Sequence, residues 1–214
     1  MSLGAYPDGM RLSYLFSQCL TAPYTRLADG VDVAAERRGG ALTLYFEASD
    51  GAADWQKNLD FPAAAYRRQG RPVFYAHRGF LRAWRIAERE VAATLADKAL
   101  RTITVVGYSH GAAIAVLAHE YAWYHRPDLR HSLTGFGFGC PRVLFGSGAA
   151  RLAERWENFT VVRNIDDLVT HLPPTFLGYR HVGRLLEVGK RGRYTRTDAH
   201  RPENIRRELV RAGL

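Results

Sequence analysis

Residues 102–108, TITVVGY, are almost wholly apolar or β-branched and lead without a break into Gly107-Tyr108-Ser109-His110-Gly111, after which Ala112 and Ala113 open a helical pattern. A run this uniformly apolar reads as a strand buried on both faces, which belongs in a parallel sheet covered by helices. The junction is equally constrained. A serine between glycines two residues either side sits on a tight strand-to-helix turn, where larger neighbours would clash. The small residues after it let the helix lie close to the strand. One segment therefore predicts an α/β fold whose central strand ends in a serine held out of the sheet.

The rest of the chain agrees with that architecture. Residues 41–47 (ALTLYFE), 72–77 (PVFYAH), 132–139, 158–164 and 180–188 read as strands, and 79–99 and Ala112–Tyr124 as helices, the latter stopping near Arg126-Pro127. A helix is predicted near 148–157 and a last one from about 202 to 212. Residues 11–22 form an amphipathic opening helix with Leu12, Leu15, Phe16 and Cys19 on one side. No repeat, low-complexity tract or linker interrupts the 214 residues, so the expectation is a single domain over 1–214.

Composition removes several function classes. With 47% hydrophobic and 24% charged residues the chain is globular. Two cysteines, Cys19 and Cys140, cannot build a disulfide scaffold or a four-cysteine zinc site, and they favour a reducing compartment. No run reaches the ~18–20 apolar residues of a membrane span, and the start lacks the charged and apolar regions of a secretory signal, so a cytoplasmic location is expected. Lys and Arg exceed Asp and Glu by nine, and from Arg180 onward ten bases face four acids. Only Tyr179 and Tyr194 accompany that basic stretch, too few aromatics for base stacking, so no nucleic-acid partner is expected. Oligomeric state is left open by these patterns.

The chemistry centres on Ser109. A serine hydroxyl becomes a nucleophile when a histidine takes its proton and an acid orients that histidine, and the α/β-hydrolase arrangement requires the chain order Ser, Asp, His. The acid falls in Asn164-Ile165-Asp166-Asp167-Leu168, at the end of a predicted strand, where Asp166 and Asp167 compete and spacing does not choose. Among eight histidines, His119 and His125 lie on the helix that Ser109 starts and read as surface residues. His119-Glu120-Tyr121-Ala122-Trp123 puts tryptophan where a zinc-protease motif needs its second histidine, so no metal is expected, and no cofactor either. His171, His181 and His200 follow the acid. His200 lies in a polar loop before the last helix, the usual setting of a catalytic side chain, whereas His181 in a predicted strand suits a structural hydrogen bond.

Further motifs carry a resemblance to the fungal-type triacylglycerol lipases, or class 3 lipases, of the α/β-hydrolase fold. Phe46-Glu47-Ala48-Ser49 resembles the family's Phe-Arg-Gly-Ser/Thr segment, and Asp54-Trp55-Gln56 through Phe61 its lid around a tryptophan. His77-Arg78-Gly79-Phe80 resembles its His-x-Gly-Phe helix start. Phe138-Gly139-Cys140-Pro141-Arg142-Val143 and Asp167-Leu168-Val169-Thr170-His171-Leu172-Pro173-Pro174 follow in the family's order, over about residues 41–200. The resemblance implies Ser109 as nucleophile, Asp167 as acid and His200 as base. It makes His181 non-catalytic. It implies an oxyanion hole from the amides of His110 and Ser49, and a flap over the acyl pocket containing Trp55 and Phe61. Glu47 and Ala48 depart from the family's Arg-Gly, and His110 from its commoner leucine.

The resulting expectation is a serine carboxylic-ester hydrolase acting on ester or lipid substrates through an acyl-enzyme, with transient contact to a lipid interface. The short flap favours soluble or short-chain esters. A phospholipase, galactolipase or acyltransferase would use the same triad, and a catalytically silent membrane-surface module is the non-enzymatic alternative.

Overall fold

The computed structural model describes residues 11–48 and 62–214. Two sheets organise them. The larger is built from β1 (Thr25–Arg26), β2 (Val31–Arg38), β3 (Ala41–Ala48), β6 (Thr102–Tyr108), β7 (Leu133–Phe138), β9 (Phe159–Asn164) and β11 (Arg184–Val188), side by side in that order. From β3 to β11 every pairing is parallel, and β1–β2–β3 add an antiparallel edge. The smaller sheet joins β4 (Ala63–Arg68), β5 (Arg71–His77), β8 (Leu144–Phe145) and β10 (Tyr179–Arg180) in antiparallel fashion.

Strand alternation divides the large sheet into two cores. Leu42, Leu44 and Phe46 of β3, Ile103 and Val105 of β6, and Val161 of β9 face one side. That side is covered by α2 (Arg78–Leu95) and α3 (His110–His125). Tyr45, Val106, Phe136, Phe138 and Val162 face the other, covered by α1 (Leu12–Thr21) and α5 (Pro202–Arg211) through Leu12, Phe16, Ile205 and Leu209. The Ser13 hydroxyl donates to the Leu214 carbonyl at 2.7 Å, joining α1 to the segment after α5 on this face. Helices thus lie on both faces of a mostly parallel sheet, as the sequence predicts.

The differences have physical causes. The predicted strand 180–188 is two strands in two sheets, turned at Gly183, whose φ of +64° and 2.1 Å gap between a notional Cβ and the Phe159 carbonyl exclude any side chain. The predicted helix 148–157 is one turn, α4 (Gly148–Arg151), followed by a 3-10 turn over Ala153–Trp156. Tertiary contacts override the helical pattern there: Trp156 is buried with its indole N–H donated to the Val116 carbonyl at 2.9 Å, and Arg155 turns to the buried carboxylate of Glu120. Strands β2 and β4 carry too little alternation to be read from sequence and form because hairpins at Gly39-Gly40 and Gln69-Gly70 pair them with β3 and β5.

His119, expected at the surface, is 1% exposed. Helix α3 lies between the sheet and α2 and is buried on nearly every side, so position along it does not predict exposure. Its ring packs edge-on against Phe159 and both ring nitrogens lack a hydrogen-bond partner. Cys19 and Cys140 are free and buried. No helix among the described residues is long and apolar enough to cross a membrane.

Candidate active site

Strand β6 delivers Ser109 to the carboxyl edge of the sheet, and α3 begins at the next residue. The turn is tight enough that only glycine fits on either side. A Cβ on Gly107 would stand 2.3 Å from the Gly111 carbonyl oxygen, and one on Gly111 2.1 Å from that of Phe46. Ser109 itself takes φ +54° and ψ −121°, a conformation costing about 1–3 kcal/mol that only a well-packed surround sustains. Its amide is held by the Phe138 carbonyl of the neighbouring strand at 2.9 Å. Serine at a helix start commonly caps the helix with its hydroxyl. Here the side chain makes no cap bond and is committed elsewhere.

That commitment is to His200. Ser109 Oγ lies 2.8 Å from His200 Nε2, and His200 Nδ1 lies 2.8 Å from Asp167 Oδ2. Asp167 is fully buried just past the end of β9. It is locked there by three bonds: its amide donates to Asn164 O at 2.9 Å, its Oδ1 accepts the Val169 amide at 2.9 Å, and its carbonyl accepts the Thr170 hydroxyl at 2.8 Å. With a carboxylate accepting at Nδ1, the imidazole carries its proton there and leaves Nε2 to accept from the serine hydroxyl. Of the two competing aspartates the structure brings Asp167 to His200. Asp166 turns outward, its Oδ2 accepting the Gly192 amide at 2.7 Å.

His200 closes a 3-10 turn over Asp198–His200, immediately before α5. Tyr108 holds it from below. The phenol donates to the His200 carbonyl at 2.6 Å, and the two rings stack with centroids 5.2 Å apart. Burial pushes the Tyr108 phenol well above its ordinary pKa, so it remains a donor. The Asn164 amide secures the preceding Ala199 carbonyl at 3.2 Å. Gly139, with φ +57°, leaves the space the ring needs: a Cβ there would be 2.8 Å from His200 Cε1. Sequence reasoning missed Tyr108, Asn164 and Gly139. All three lie inside segments that the sequence singles out, but nothing in sequence announces their contacts with Ala199 and His200.

The remaining histidines are held apart from this chain of bonds. His181 Nε2 donates to the Thr170 carbonyl at 2.8 Å, bracing the loop that carries Asp167, and burial lowers its pKa to about 4. His77 is buried against Phe80. His110 occupies the first position of α3, where helix geometry leaves the amide without an intrahelical partner. Its ring lies 5.3 Å from Phe80, its Nδ1 is buried without a partner, and burial together with His77 lowers its pKa to about 4. Ser49, Trp55 and Phe61, named from the resemblance, lie outside the described residues. Among the described residues no group of three or more His, Cys, Asp or Glu side chains is placed to hold a metal ion.

A family model for class 3 lipases matches residues 43–177. The chain belongs to the class 3 lipase family. A lipase from Rhizomucor miehei is 29% identical over 148 residues, 66% of this chain and 40% of that protein. The chain thus matches about two-fifths of that relative's length. Among solved structures, the Rhizomucor miehei triacylglyceride lipase covers 78% of this chain and 66% of its own at a TM-score of 0.64 and 22% identity. A triacylglycerol lipase whose catalytic centre is described as a serine protease triad matches with a TM-score of 0.67 and 21% identity, over 78% of this chain and 66% of that one. These likenesses give this member of the class 3 lipase family the α/β-hydrolase fold. The matched family span ends before His200, so its pairing with Ser109 rests on the geometry above.

Proposed function

We propose that this chain is a serine carboxylic-ester hydrolase, of lipase or esterase type, in which Ser109, His200 and Asp167 act as a triad. The observation that carries the reading is the unbroken hydrogen-bond chain from Ser109 Oγ through His200 to Asp167, 2.8 Å at each link. As Oγ attacks the ester carbonyl, His200 Nε2 takes its proton, and Asp167 stabilises the imidazolium and holds its orientation without accepting the proton. The tetrahedral oxyanion is met by the His110 amide at the positive end of α3 and, as the family resemblance implies, by the Ser49 amide. Such preorganised donors contribute about 10²–10³-fold each. His200 then protonates the leaving alcohol, and water, deprotonated by the same imidazole, hydrolyses the acyl-enzyme.

The His110 imidazole does not compete for the serine proton. With a pKa near 4 it is a poor base at neutral pH, and it makes no hydrogen bond to Ser109. Acyl glycerides are the substrate class that the relatives' names suggest, with soluble esters admitted by the same chemistry, and the family resemblance assigns Trp55 and Phe61 to a flap over the acyl chain. Transient contact with a lipid surface is supported by Phe176, 86% exposed beside the half-exposed Leu177 on the turn that follows Pro174. Turnover of a nitrophenyl ester tests the reading: Ser109→Ala should abolish it while leaving the fold intact, and undiminished turnover in that variant would end it.

A further inference from the structure

The basic C-terminal stretch is not evenly spread over the surface. Three of the protein's arginines, Arg163, Arg191 and Arg196, line a cavity of about 480 Å³ together with His171, Asp166 and Glu187. Its acids are already engaged. Glu187 Oε1 accepts from Arg163 at 2.6 and 3.0 Å, and Asp166 accepts the Gly192 amide at 2.7 Å. Among the described residues neither Arg191 nor Arg196 has an acidic partner within ion-pair distance. The lining carries three arginines against two carboxylates. His171 is held below its ordinary pKa by burial first and then by Arg163 and Arg142, with Asp167 pulling the other way.

The position of this cavity matters more than its charge. Asp166 and His171 belong to the loop that carries Asp167, while Arg191 and Arg196 belong to the loop that leads from β11 to His200. Two hydrogen bonds already cross between these loops, one from the Gly192 N–H to the Asp166 carboxylate and one from the Leu168 N–H to the Arg196 carbonyl at 3.2 Å. Arg163 of β9, anchored by Glu187 of β11, is a fixed donor, and Arg191 and Arg196, without an ion-pair partner among the described residues, line the cavity from the opposite loop. Guanidinium forks suit a tetrahedral oxyanion, which Arg191 and Arg196 can each grip with two parallel N–H bonds, while Arg163, its Nε–H and one Nη2–H given to Glu187, offers its remaining N–H groups. The volume exceeds what a phosphate needs and falls in the range of small-molecule sites.

We propose that this cavity binds a phosphate-class oxyanion, either free phosphate or the phosphate of a lipid head group, gripped by Arg191, Arg196 and Arg163, and that occupancy ties the Asp167 loop to the His200 loop. The regulatory half of this statement rests on the triad reading; the binding half does not. Bound anion restrains the loops presenting acid and base, so it stabilises the fold and preserves the triad's alignment.

The test is thermal unfolding of the full chain with inorganic phosphate or glycerol 3-phosphate as probe, against potassium chloride at equal ionic strength. At ten times the dissociation constant the midpoint should rise by about 3–5 °C. The rise should vanish in Arg191→Gln/Arg196→Gln and persist in Arg206→Gln/Arg207→Gln, which removes the same charge from the exposed face of α5. Equal affinities for the two probes identify free phosphate as the ligand, and tenfold tighter glycerol 3-phosphate identifies a head group. Absence of any rise beyond chloride for both probes, or an undiminished rise in the Arg191/Arg196 variant, overturns the proposal. Unfolding requires no turnover, so this failure is separate from failure of the triad reading, which covalent labelling of Ser109 reports independently.

Discussion

Replacing Gly139 with alanine separates the cost of backbone strain from the cost of moving the proposed base. The added methyl stands 2.8 Å from His200 Cε1, 3.0 Å from His200 Nδ1 and 3.3 Å from Asp167 Oδ2, where ordinary carbon contacts begin at 3.4 Å. Relief requires the imidazole to shift by about 0.6 Å, beyond the ~0.5 Å tolerance of a working site, and misplacements on this scale cost on the order of 10²-fold in rate. The residue also has φ +57°, which adds about 1–2 kcal/mol for any side chain. Gly70 is the matched control, with φ +75° and nothing within 4 Å of a notional Cβ. Both variants should therefore unfold about 2–8 °C earlier. Only Gly139→Ala should lose turnover, by about 100-fold in kcat with KM little changed. Paired melting curves and steady-state kinetics on a nitrophenyl ester check this. Full kcat in Gly139→Ala, or equal loss in Gly70→Ala, would refute the argument that the glycine exists to seat His200.

Three other outcomes follow from the same geometry. Asp167→Asn should reduce kcat by about 10⁴-fold, as expected when the imidazole is left in the wrong tautomer, while Asp166→Asn, which loses only an acceptor for Gly192, should remain within a few-fold of the parent in the same kinetic assay. Tyr108→Phe keeps the ring stacked on His200 but deletes the bond to its carbonyl, so urea titration should show a loss of about 0.5–1.5 kcal/mol, with a parallel fall in kcat. Acid should destabilise the protein through His119, whose folded pKa of about 3 lies below the ordinary 6.5. Above pH 6.5 this group costs nothing. As pH falls toward 3 only the unfolded chain takes up the proton, so stability drops by about 1.4 kcal/mol per unit, roughly 2 kcal/mol by pH 5. His110 and His181, both lowered to about 4, act in the same direction. Urea midpoints between pH 7 and 5 measure the slope, and His119→Gln should lower it by about a third, leaving the share of His110 and His181.

What could be read in the sequence was whatever depends on neighbours in the chain. The run TITVVGY and the glycines at 107 and 111 specify strand, turn and helix locally, and the structure places Ser109 at that turn. The opening helix declared its face through Leu12, Leu15, Phe16 and Cys19, all buried. What depends on distant partners was hidden. His119 reads like any helix residue until α2 and the sheet close around it. Residues 31–38 become a strand because β3 lies beside them. Asp166 and Asp167 differ in sequence by one position, yet one is pinned by Asn164, Val169 and Thr170 toward His200 and the other faces Gly192. Tyr108 and Gly139 are set by where residue 200 returns, and no local pattern encodes that return.

The central claim is that Ser109 is a nucleophile activated by His200. Labelling with a fluorophosphonate, followed by peptide mapping, tests it most directly. The account predicts a single adduct on Ser109, formed at least 10³-fold more slowly in His200→Ala. An adduct on another residue, or an unchanged rate without His200, would contradict it.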